Sequence, residues 1–139
     1  MNDKTIIASL VDDEVRMNFL PACFGRRLMM KGEASVYSWM DKLCEDYNGG
    51  YWHFYTLSNG GFYMAPEVNE PMRLQVVGNY FDGELSSDAA GIVTTLFAIQ
   101  TIASRAKGAD KDRLIDRYYL LQNFASEHPE SAAIFRAID

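Results

Sequence analysis

Hydrophobic positions along the chain follow two periods, two residues in the middle third and three to four residues elsewhere. The stretch Gly49–Pro66, GGYWHFYTLSNGGFYMAP, carries aromatic and β-branched residues on both sides of Asn59-Gly60. Such a pattern predicts a β-hairpin whose two-residue turn is type I′. With Asn59 and Gly60 as the turn, Leu57 faces Phe62, Thr56 faces Tyr63 and Tyr55 faces Met64. Side chains alternate between faces, so one face carries His53, Tyr55, Leu57, Phe62 and Met64. The other carries Trp52, Phe54, Thr56, Tyr63 and Ala65, and both are bulky enough to seed a core. A third strand, Met72–Val77, places Arg73 and Gln75 at alternate positions and is expected to extend the hairpin into a meander. Gly78-Asn79 and Asp82-Gly83 read as turns around Tyr80-Phe81, a short extra strand or a wedge into the core.

Helical periodicity occupies the rest. Ile6, Ile7, Leu10 and Val11 suit a short helix or a docked arm, and Pro21 fits the first turn of another short helix that Gly25 ends. Glu33–Asn48 repeats Val36, Trp39-Met40, Leu43-Cys44 and Tyr47 as one stripe, with Asn48-Gly49-Gly50 as the stop. A helix capped by Ser86, Ser87 or Asp88 runs to about Ala106. Its apolar residues fill more than one stripe, which predicts a central buried helix, and Gly108 ends it. Asp110 is expected to cap a helix buried through Leu114, Ile115, Tyr118, Leu121 and Phe124, and Pro129 starts the last. The expected architecture is α+β: a three-stranded antiparallel sheet (hairpin 51–66 plus strand 72–77) packed with about four to five helices, residues 1–139 forming one domain.

Charge narrows the function. Thirteen basic and nineteen acidic residues give −6, which disfavours a sequence-independent grip on nucleic acid. The longest acidic run is Asp12-Asp13-Glu14, too short for a convincing mimic of DNA. Residues 51–104 hold five acidic side chains and one basic, Arg73, so an acidic surface near the sheet would favour a basic protein partner. Two cysteines without a secretory signal point to reduced thiols and a cytoplasmic protein. The most apolar segment, Ala89–Ala103, is too short and too polar to span a bilayer.

No spacing assembles a catalytic or metal site. Cys23, Cys44, His53 and His128 lack paired ligand spacing, and Cys44 lies on an apolar stripe, where a thiol is usually inert. Ser58-Asn59-Gly60-Gly61 precedes a strand rather than a helix, so it is no phosphate cradle. No cofactor is implied. His53 reads as a core histidine with one bonded ring nitrogen, a partner-facing or pH-responsive role being the alternative. Arg26, Arg27 and Lys31 form a basic turn, a solvated feature or a contact for an acidic group. Candidate partner-binding residues are Trp52 and Tyr63 on the aromatic face, Arg73 near it, Glu67 and Glu70 in the PEVNEP loop, and Asp139. A carboxylate at a helix C-terminus opposes the helix dipole, and a locally unfavourable residue is a pointer to function.

The run YWHFYTLSNGGFYMAP, with FLPACFG at Phe19–Gly25 and the Trp-bearing helix at Glu33–Asn48, resembles the ArdB/KlcA family of plasmid and genomic-island antirestriction proteins. The resemblance spans nearly the whole chain and brings no catalytic signature. It implies protection of incoming DNA against type I restriction. Together with the absence of an assembled active site and the acidic, aromatic-rich sheet region, it leads to the expectation of a non-catalytic, binding-based route, the partner being the restriction-modification complex or a host factor. A general interaction or regulatory module of a mobile element is the alternative, and a small hydrolase ranks below it. Oligomeric state stays open.

Overall fold

The computed structural model describes residues 5–139. In chain order the elements are β1 (Ala8–Leu10), a 3-10 turn at Asp13–Asn18, α1 (Phe19–Phe24), α2 (Met29–Leu43), β2 (Trp52–Leu57) and β3 (Phe62–Pro66). There follow β4 (Met72–Val76), a 3-10 turn at Val77–Asn79, β5 (Phe81–Leu85), α3 (Ser87–Arg105), α4 (Gly108–Glu127) and α5 (Ser131–Ile138). The α+β class, a three-stranded antiparallel sheet and five α-helices agree with the sequence reading. The third strand does not. It is β1 that pairs with β2, in the order β1-β2-β3, while β4 pairs with β5 as a separate two-stranded sheet. The segment read as a helix or arm is therefore partly strand.

The free edge of β3 explains why β4 cannot join the hairpin. Tyr55 and Tyr63 sit opposite each other, as do Phe54 and Met64. Leu57 N–H bonds to Gly61 O and Glu67 N–H to Tyr51 O, so in the alternation of an antiparallel ladder Met64 presents its backbone groups outward. Thr95 of α3 meets them: Met64 N–H donates to Thr95 Oγ1 at 3.2 Å, and that hydroxyl lies 3.4 Å from Met64 O. One turn earlier on the same helix, a Cβ on Gly91 would stand 2.2 Å from Met64 O and 2.6 Å from Ala65 Cα. A side chain there is sterically impossible without moving α3. Pro66, which lacks an N–H, occupies an outward-facing edge position where none is needed.

The hairpin loop also differs from expectation. Gly60 N–H bonds to Leu57 O at 2.9 Å and Gly60 has φ +97°, a type I turn closed by a left-handed glycine, which makes a three-residue loop. Asn59 holds it by accepting from Gly61 N–H and donating to Leu120 O, each at 2.9 Å. The register moves by one residue, and every pairing changes with it. Trp52, Phe54, Thr56, Phe62 and Met64 now share one face; His53, Tyr55, Leu57, Tyr63 and Ala65 share the other. Phe19 stacks on Phe54 (centroids 4.4 Å apart) on the first face, and Phe124 on Tyr63 (5.6 Å) on the second. Helices α1 and α4 therefore cover opposite faces of the hairpin.

Helix α3 is the central buried element, as its apolar pattern predicts, and Ser86 caps it by accepting from Ala89 N–H at 3.1 Å. Gly108 begins α4 with φ +59° rather than ending α3, and no side chain caps α4, Asp110 pairing instead with Arg27 and Arg113. Helix α2 starts four residues before the expected Glu33 and ends at Leu43, ahead of the Gly49-Gly50 stop. Cys44 turns extended, and the chain that follows brings the Tyr47 hydroxyl to the Trp52 indole N–H at 2.8 Å. Asp82-Gly83, read as a turn, lies within β5, opposite Gln75 and Leu74.

Gly91→Ala is expected to cost about 3 kcal/mol by overpacking against backbone. Gly49→Ala, with open space but φ +94°, should cost about 1 kcal/mol. Urea unfolding of both variants checks the contrast, which equal losses would contradict.

Candidate partner-binding surface

Trp52 and Tyr63 are buried, at 3 % and 2 % exposure, and they lie on opposite faces of the hairpin. The aromatic face expected to recognise a partner is thus interior. Trp52 packs against Tyr37 (5.2 Å) and donates to Tyr47. Tyr63 stacks on Tyr55 (4.7 Å) and donates to Asp88 Oδ1 at 2.7 Å.

Tyr63 belongs to a network that sequence spacing did not reveal. His128 Nε2 lies 2.8 Å from Asp88 Oδ2, and His128 Nδ1 accepts from Glu130 N–H at 3.0 Å. Glu130 in turn accepts from Ser86 N–H at 2.9 Å and from the Ser86 hydroxyl. With Nδ1 accepting, the ring proton of neutral His128 sits on Nε2, facing the carboxylate. Both ring nitrogens are engaged, so the imidazole has no free lone pair for general-base work. Burial raises the Asp88 pKa, but the hydrogen bonds from His128 and Tyr63 outweigh it and hold the carboxyl below its usual range. Burial first, then the bond to Asp88, pushes the Tyr63 phenol well up. This is a clamp between β3, the start of α3 and the α4–α5 turn.

Other candidate chemistry is similarly quiet. Cys23 and Cys44 are buried free thiols, and burial drives the Cys23 thiol far up despite Arg117. Among the described residues, no three His, Cys, Asp or Glu side chains converge as metal ligands. His53 is half-buried rather than core, its Nε2 3.3 Å from Glu67 Oε1. Glu67 therefore belongs to a cluster with Arg16 and Tyr51, away from Arg73; Arg16 lies over the rings of Tyr51 (4.6 Å) and Phe54 (4.1 Å).

The remaining candidates gather around the β4–β5 sheet. Its outer face pairs Arg73 with Glu84 and Gln75 with Asp82. Arg73 donates diagonally to Asp82 through Nε (2.8 Å) and Nη2 (2.7 Å), and the bond holds the Asp82 carboxyl low. Glu70, Asp46 and Arg73 line one concavity beside this face; Asp139 and Arg136 line another with Asp82 and Tyr80. Residues 41–88 hold eight acidic and two basic side chains, a net −6 equal to that of the whole chain, the remainder having eleven of each. Most of these carboxylates are exposed. Asp82 and Glu84 lie on the small sheet and Asp46 and Glu70 line the concavity beside it, whereas Glu67 sits by His53 of the hairpin and Asp88 belongs to the clamp.

At the tip, Tyr80 is 92 % exposed with φ +62°, and Val77 is 87 % exposed. A left-handed tyrosine costs about 1–2 kcal/mol. Asn79 enforces it, accepting from Phe81 N–H and donating to Ala137 O and Asp139 O, each at 2.9 Å. Those carbonyls close the end of α5. The Gly78-Asn79 turn signal marked the place, but nothing local marked the left-handed residue that follows.

Comparison with known proteins places this architecture. The chain belongs to the antirestriction protein family, whose model matches residues 45–139. It is 59 % identical over 138 residues to an antirestriction protein KlcA of Escherichia coli, spanning 99 % of this chain and 97 % of that protein. The putative antirestriction protein YubI of Escherichia coli K12 is 35 % identical over 135 residues, covering 93 % of each. A solved structure at TM-score 0.91 and 56 % identity covers 100 % of this chain and 99 % of that one. It comes from work describing KlcA and ArdB proteins as having a novel fold and antirestriction activity against type I DNA restriction systems in vivo but not in vitro.

Tyr63→Phe keeps the ring and removes the bond to Asp88, at an expected cost of about 1–2 kcal/mol. Because the Asp88 pKa is depressed on folding, its contribution is complete above the unfolded value near 4 and is lost as pH falls through the lower folded value. Asp88→Asn should therefore flatten the acid limb of stability against pH below about 4, measured by urea unfolding across pH. An unchanged limb would contradict the clamp.

Proposed function

We propose that this chain is an antirestriction protein that protects incoming foreign DNA from type I restriction in the cytoplasm by binding, without catalysis. The near-full-length likeness to the KlcA and ArdB fold carries the reading. Activity of those relatives in vivo but not in vitro favours a route that needs something the cell supplies, a host factor or a particular state of the restriction complex. The exposed β4–β5 face and its rim, where Glu70, Asp82, Glu84 and Asp139 outnumber Arg73 and Arg136, are suited to a basic protein partner. The same charge disfavours DNA itself. Trp52 and Tyr63 are interior, packed against Tyr37, Tyr47, Tyr55 and Phe124, and do not touch the partner. Among the described residues, no helix is long and apolar enough to cross a membrane.

Unmodified phage plated on cells with a type I system should recover plating when this protein is expressed. Glu70→Lys with Asp82→Lys should lower the recovery at unchanged soluble protein. Trp52→Ala should lower the soluble protein itself. Full restriction by cells containing folded wild-type protein would overturn the reading.

A further inference from the structure

A second surface lies away from the acidic face. Helices α2 and α3 are separated on their outer side by an open groove of about 600 Å³. Its floor includes Trp39, whose ring stacks on Phe97 (4.7 Å) and whose indole N–H donates to Thr101 Oγ1 at 3.0 Å. The small residues of α2 along it, Ala34, Ser35 and Ser38, keep it open. Its charged residues are Lys31, Lys42 and Arg105, and no carboxylate lines it. None of the three is in an ion pair among the described residues, and Lys42 Nζ stands over the Trp39 ring, 4.9 Å from its centroid. In a chain of net −6, this is a local reversal of sign.

The fold accounts for two of these cations. Lys42 and Arg105 sit in the last turns of α2 and α3, where positive charge complements the helix dipole. Lys31 has no such account. It lies in the first turn of α2, which carries no acidic residue, and a cation there opposes the dipole. A locally unfavourable charge beside an apolar floor is a mark of recognition rather than of folding.

We propose that the α2–α3 groove docks an amphipathic, acidic helical segment of a partner protein. Its apolar side would lie on Trp39 and the small residues of α2, and its carboxylates would reach Lys31, Lys42 and Arg105. Two helices presenting a furrow of small residues form the receiving half of helix-in-groove recognition. The charge complementarity selects an acidic segment over a basic one. Nucleic acid is the poorer occupant because the rest of the molecule repels it. The inference stands apart from the antirestriction reading, which rests on the relatives.

Trp39 and Trp52 are the only tryptophans, and their indole N–H signals in a ¹H–¹⁵N spectrum of the full chain report on the groove and the interior respectively. The probe is a synthetic amphipathic helix with leucine on one face and glutamate on the other, with a lysine-for-glutamate counterpart as control. The acidic peptide should shift Trp39 saturably and leave Trp52 in place. Lys31→Glu with Arg105→Glu should weaken its affinity at least tenfold, Lys31→Gln with Arg105→Gln should weaken it less, and the basic peptide should not bind. Equal response to both peptides, no response, or unchanged affinity in the charge-reversed variant overturns the proposal. So does an equal Trp39 shift with a short single-stranded oligonucleotide, or concentration-dependent self-association that the charge reversal abolishes, which would make a second copy the occupant. None of these failures touches phage plating by the wild-type protein, so the two readings fail separately.

Discussion

The contact between α3 and the free edge of β3 is the constraint on which the rest depends. A strand edge offers unpaired N–H and C=O groups and invites another strand. Here Thr95 meets the outward groups of Met64, and Gly91 allows the helix axis close enough for it to do so. The edge is thereby closed to β4, which must find another partner and takes β5. The same approach buries α3 in the centre, where its apolar residues contact α2, α4 and α5. One glycine and one threonine, a turn apart, thus divide the strands into a covered sheet and a separate exposed hairpin.

That division separates a covered scaffold from an exposed hairpin, the surface proposed for recognition. The aromatic hairpin, with both faces under helices and one edge under α3, is interior, and its tyrosine and tryptophan heads bond to other buried or half-buried groups. The β4–β5 hairpin packs one face inward through Met72, Leu74, Val76 and Leu85 and leaves the other in water. Alternation along β4 and β5 puts Arg73, Gln75, Asp82 and Glu84 on that outer face, and the turn at Asn79 fixes Tyr80 beside them. Because the turn is bonded to the end of α5, this surface is preorganised, which lowers the ordering cost of binding.

Much of the fold was legible because its signals are local. The strands of the aromatic hairpin, the Ser86 cap, the buried character of α3 and the stop at Gly25 follow from residues within a turn or two of one another. The hairpin register was not legible, because Asn59-Gly60 suits both a two-residue and a three-residue loop. The choice is made by Leu120, sixty-one residues away, whose carbonyl takes the Asn59 amide. The partner of β4 was hidden for the same reason, since the edge that refuses it is sealed by a helix later in the chain. Of the candidate residues, Arg73 was chosen for its nearness to the aromatic face and lies instead on the separate small sheet, while Glu70 and Asp139 lie beside that sheet and its turn. Trp52 and Tyr63 were misplaced because aromatic density alone does not say which helices cover it. Tyr63, Asp88 and His128 come from three elements and carry no spacing motif.

The most direct test of this account is amide hydrogen exchange at Met64. An outward-facing amide on an uncovered edge strand exchanges with local fraying, whereas one bonded to Thr95 exchanges only when α3 lifts from the sheet. The account predicts that Met64 is protected to nearly the global stability in the wild-type chain and loses that protection selectively in Thr95→Val, while Tyr63 and Ala65, bonded to β2, keep theirs. Rapid exchange at Met64 in the wild-type protein, or protection unchanged in Thr95→Val, would contradict the edge closure that divides the strands into two sheets.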